Sequence, residues 1–100
     1  MAQALTLLND ALVTDCAAAL AQRVCAARDA GDTESRVHAL FERVLSRPPS
    51  AEETRWCLAL AEREGVRRLL AGAELDAARE AGIAHVAHTL FNTSEFLSLP

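Results

Sequence analysis

The stretch VHALFERVLSRPPSAEE, residues 37–53, decides the fold. Val37, Leu40, Phe41, Val44 and Leu45 recur at i, i+3, i+4, i+7 and i+8, the spacing that lays a wide apolar stripe along one helix face. Arg36, Glu42, Arg43 and Arg47 fall largely off that stripe. Pro48-Pro49 then ends the helix, because the first proline biases Arg47 out of the α region and neither ring nitrogen can donate. Ser50-Ala51-Glu52-Glu53 starts the next helix as a capping box: the Ser50 hydroxyl accepts from the Glu53 amide and the Glu53 carboxylate reaches back to the Ser50 amide. Helix, break, helix is the framework on which the flanking segments are placed.

Downstream, Trp56, Leu60 and their neighbours continue the helix that Ser50 opens. Gly65 ends or weakens it, and Val66, Leu69 and Leu70 restore the period beyond. Residues 72–81 read as a loop or a poorly packed helical turn. A last helix is expected over 82–91, with Ile83, Val86, Ala87, Leu90 and Phe91 on one face and Asn92 as a left-handed terminator. Thr93 or Ser94 can cap a final turn carrying Phe96 and Leu97. Upstream, Gly31 closes a helix over 11–28 in which Val13, Cys16, Ala17, Leu20, Val24 and Ala27 share a face, and Asp32 or Thr33 caps the helix after it. Asn9-Asp10 form a capping pair behind a short apolar segment, residues 3–8. The expected fold class is all-α: an irregular bundle of about four helices with short helical end pieces, forming a single module over residues 1–100.

Composition agrees. Alanine fills 21 of 100 positions, tyrosine is absent and only four residues are aromatic, a balance that favours helix over strand. A domain of this size has a modest stability, on the order of 5 kcal/mol. Fourteen acids outweigh ten bases for a net charge of −4. The bases, all arginine, are spread from Arg23 to Arg79 with carboxylates near each, so the concentrated positive footprint of a nucleic-acid binder is missing. No apolar run approaches the ~20 residues of a membrane span, and residues 1–9 lack the basic region and cleavage site of a signal peptide. Cys16, Cys25 and Cys57 make an odd count without C-x-x-C spacing, which implies neither a disulfide framework nor a zinc site.

Few residues suggest chemistry. His85 and His88 stand three apart on a helix, a spacing that can place two imidazoles on one metal ion. They lie opposite that helix's apolar stripe with no cysteine or carboxylate at the spacing of a third ligand, so solvated or partner-facing histidines are the plainer reading. His38 borders the stripe of its helix with no nucleophile paired to it. Cys16 falls on a core stripe as a small hydrophobe, Cys25 shares a small-residue face with Ala18 and Ala21, and Cys57 adjoins Trp56. Trp56, Phe41, Phe91 and Phe96 read as core anchors rather than as a ligand-binding aromatic set. The four glycines are isolated and make no phosphate loop.

Three segments together resemble the C-terminal end of a large bacterial family known from planctomycetes, the domain of unknown function numbered 1553. They are QALTLLND (residues 3–10), LFERVLSRPPSAEE (residues 40–53) and LFNTSEFL (residues 90–97). Their order and spacing match, so the resemblance covers nearly the whole chain. Two departures stand out. The haem-attaching C-x-x-C-H of the cytochrome c domain that often accompanies the family is absent, so no cytochrome function carries over. Gly82-Ile83 also stand where the family's last helix typically has a tryptophan near its start. The family domain is several times longer, which implies that this chain is the C-terminal part of a larger, exported or periplasmic protein. The family offers no catalytic residues to transfer.

The resulting expectation is a non-catalytic structural or interaction module without a cofactor. Its partners would be the rest of a larger polypeptide, or another protein, met through apolar helix faces rather than nucleic acid or a membrane span. The rival expectations are a fragment of an enzyme acting on polysaccharides, suggested only by the family's settings, and a metal- or haem-binding helical domain using His85 and His88.

Overall fold

A computed structural model describes residues 10–27 and 31–93. Four helices and no strand occur among the described residues: α1 (Asp10–Ala26), α2 (Thr33–Leu45), α3 (Ala51–Leu70) and α4 (Leu75–Phe91). The all-α bundle expected from the sequence is therefore what the chain forms. The expected end pieces, with Phe96, Leu97 and the Ser94 cap, lie outside the described residues.

The central break is built as its residues dictate. Asp32 caps α2, its Oδ1 accepting from the Ser35 amide at 2.9 Å. Val37, Leu40, Phe41 and Val44 are buried along the predicted stripe. The helix stops at Leu45, and Ser46 turns the chain in the left-handed region at φ 58°, so the reversal begins two residues before the prolines. The capping box is complete: Ser50 Oγ accepts from the Glu53 amide at 3.1 Å, and Glu53 Oε1 accepts from the Ser50 amide at 2.8 Å. Arg47 fastens the corner, donating through both terminal nitrogens to the two Glu53 oxygens at 2.8 Å while its guanidinium lies 5.5 Å from the Phe41 ring centroid. A planar fork on a carboxylate with an aromatic ring beneath is a geometry lysine could not reproduce.

Beyond the break the helices are longer than the sequence suggested. α3 runs through Gly65 without interruption to Leu70. A turn over 71–74 follows, in which Gly72 takes φ +100° and the Ala71 and Ala73 amides donate to α3 carbonyls. The uncertain stretch 72–81 is thus a short turn followed by the first two turns of α4, whose Ala78 is buried. Gly82 begins no helix; it sits mid-α4, packed against the α3 backbone. A Cβ there would stand 2.5 Å from the Ala61 carbonyl oxygen, so only glycine lets the two helices cross this closely. Asn92 ends α4 at φ −97°, outside the left-handed region, and donates its side-chain amide to the His88 carbonyl at 3.1 Å.

α3 and α4 make the largest helix contact, α1 packs on α4, and α2 crosses the others to close the core. Phe41, Leu40, Ile83, Val24, Val37, Val86 and Cys57 are the largest fully buried side chains. Two sequence expectations are corrected here. The buried face of α1 runs through Val13, Ala17, Ala21 and Val24, which leaves Cys16 and Ala27 exposed. Ala17 and Ala21 supply the small side chains that bring α1 close, so the stripe is rotated toward the alanine side. Trp56 is not a core anchor: it is 56% exposed, because Cys57 and Ala61 set the buried face of α3 and Trp56 lies about 100° around the helix from Cys57.

Candidate functional site

Two clefts flank the α3–α4 hairpin. The first, of about 330 Å³, lies where α1 meets the hairpin and is polar at its rim. Thr14, Glu64, Arg68, Glu80, His85 and His88 contribute to its lining. Glu64 is 8% exposed, and such a carboxylate must be compensated or neutralised. It is compensated twice. Arg67 approaches with Nε on Oε1 and Nη2 on Oε2, both at 3.1 Å, and Arg68 Nε donates to Oε2 at 2.8 Å. The hydrogen bonds from Arg67, then those from Arg68, hold the Glu64 carboxyl down at about 2.

That pairing decides what the cleft can do. His85 and His88 do face the same space as a buried carboxylate, as sequence spacing alone could not show. Yet both oxygens of Glu64 are engaged by guanidinium groups, and a carboxyl titrating near 2 is a poor proton acceptor at neutral pH. His85 is exposed. His88 is half-buried, with Nδ1 lying 3.2 Å from the Asn92 side-chain amide nitrogen. Among the described residues, no group of three histidine, cysteine, aspartate or glutamate residues that could hold a metal ion includes His85 and His88. His38 lies elsewhere, exposed on α2 beside Asp32, Glu34 and Ser35.

The cysteines are apart and unbridged. Burial, with Glu53 adding to it, pushes the Cys57 thiol up to about 11. Burial likewise raises Cys25, which lines a smaller cleft with Arg36, Arg79 and Glu80. Both thiols stay protonated at neutral pH, which suits packing rather than nucleophilic chemistry. Arg36 Nε is buried in the structure without a hydrogen-bond partner.

The second cleft is apolar. It is a groove of about 370 Å³ between α3 and α4, floored by Ala61 and Ala78 and walled by Leu58, Val66 and Leu69 on one side and Leu75 on the other, with Thr33 of α2 also lining it. Val66, Leu69 and Leu75 each leave more than two-fifths of their surface in water, and Leu70 beside them is 85% exposed. Glu62 stands on the α3 wall and Arg79 on the α4 wall. Sequence reasoning saw Val66, Leu69 and Leu70 restoring a helical period but could not see that their period faces outward. Leu75 falls in residues 72–81, whose pattern fits a loop or a poorly packed helical turn, so its place on a groove wall is not visible from sequence. Among the described residues no helix is long and apolar enough to cross a membrane.

Neither the curated proteins nor the solved structures hold a match to the chain. The family model described as PSD1, protein of unknown function (DUF1553), matches residues 1–61. That span takes in α1, α2, the Arg47–Glu53 corner and the first half of α3; the groove walls beyond Ala61 lie past it. A match over more than half of the chain shows its family: the chain belongs to the DUF1553 family.

Proposed function

We propose that the chain is a non-catalytic helical docking module, engaging another polypeptide surface through the apolar groove between α3 and α4. The observation that carries this reading is the exposure of Val66, Leu69 and Leu75 around one groove, in a bundle whose other large apolar side chains mostly reach the core. A contiguous apolar patch of this kind on a small domain is where recognition is expected. The setting we favour is the C-terminal part of a larger, exported protein; the family membership and the family's greater length support it. The paired state of Glu64 and the raised thiols give no group poised for hydrolytic work, which supports docking over an enzyme fragment. A photo-reactive residue at position 69, compared with one at exposed Arg43, tests the reading in cells producing the chain. Adducts at 69 and none at 43 are expected; equal labelling at both positions, or none at either, overturns it.

A further inference from the structure

We infer that the occupant of the α3–α4 groove is a second copy of this chain, paired about a two-fold axis running along the groove. This rests on the docking reading above and names the partner. The argument is self-complementarity. α3 and α4 are antiparallel and level where Gly82 meets Ala61, and again where Gly65 meets the Ala78 carbonyl oxygen. With a rise of about 1.5 Å per residue, Glu62 on one wall and Arg79 on the other stand within roughly 3 Å of the same height, and Leu69 and Leu75 agree still more closely.

A two-fold axis along the groove exchanges the walls while preserving height. It therefore sets each Glu62 against the Arg79 of the second copy, twice, and lays Val66 and Leu69 of each copy over the other's Leu75. Neither Glu62 nor Arg79 has an ion-pair partner within the described chain, unlike Glu53 and Glu64. Opposite charges on opposite walls are what such a pairing requires; like charges there would repel across the axis.

Sedimentation velocity on the chain from about 1 to about 100 μM tests the inference. A reversible monomer–dimer equilibrium is expected. Glu62→Arg and Arg79→Glu should each weaken it roughly tenfold, because each turns two attractive contacts repulsive, and the double exchange should restore it to within about threefold of the original. Leu69→Asp should abolish it while far-UV circular dichroism shows the helices intact. A chain that stays monomeric at about 100 μM, or a double exchange no tighter than the single ones, overturns the pairing. The photo-adduct at position 69 separates the two readings. A species of twice the chain mass is expected; a heterologous adduct overturns the second copy and leaves docking standing, and no adduct overturns both.

Discussion

At the scale of single residues, the contacts that matter are those with no room to adjust. Gly82→Ala forces a methyl against the Ala61 carbonyl oxygen, an atom fixed in a helix backbone. We expect a loss of about 2 kcal/mol or more in urea unfolding, despite alanine's better helix propensity. Ser46→Gly should act oppositely, stabilising by about 0.5–1 kcal/mol, since φ 58° carries a steric cost that glycine lacks. Trp56→Ala should cost little beside Phe41→Ala, which empties a buried site and should cost about 3 kcal/mol or more. Acid sensitivity also resides in named groups. Glu53 and Glu64 are held at about 2 against an ordinary value of 4.5, the first chiefly by hydrogen bonds from Arg47 and then Ser50, the second by Arg67 and then Arg68. A lowered folded-state value stabilises fully above 4.5 and loses that contribution as the pH falls towards 2. Urea midpoints should therefore fall across that window, and Glu64→Gln should be less stable than the parent at pH 7 but no longer so at pH 2.

At the scale of elements, the Ser50 capping box is the start signal of the longest helix. Ser50→Ala should destabilise by about 1 kcal/mol, read from thermal unfolding, with the loss traceable to fraying of the first turn of α3 by hydrogen exchange. This element was fully legible in the sequence, because a cap and its helix are encoded within four residues. The stripe of α2 was equally legible, since its spacing needs no knowledge of neighbours. What could not be read is what depends on the partner helix. Gly82 looks like a terminator in sequence and becomes the closest helix crossing only because Ala61 lies opposite. Trp56 looks like core by chemistry and lies outside it because α3 turns Cys57 inward. The same limit applied to the candidate site. His85 and His88 were visible as a spacing, while the buried Glu64 they face was not. Its signal was present in the Glu64, Arg67, Arg68 run, whose i, i+3 and i, i+4 spacing allows both guanidinium groups to reach one carboxylate.

At the scale of the whole molecule, the bundle combines a closely packed core with an apolar groove open to solvent between α3 and α4. Charge reversal at Glu62 or Arg79 should leave monomer stability within about 0.5 kcal/mol while changing association, since both side chains are exposed and neither has an ion-pair partner among the described residues. The same architecture also sets an order of assembly. The largest contact joins α3 to α4, neighbours in sequence separated by a four-residue turn, whereas α1 reaches α4 only by closing a loop of some fifty residues. Loop-closure entropy makes the hairpin the earlier partner. In stopped-flow refolding, Ile83→Val should mainly slow folding, and Val24→Ala on α1 should mainly speed unfolding. The close glycine crossing that shapes the native hairpin would then also be the point at which the folding chain first commits to its topology.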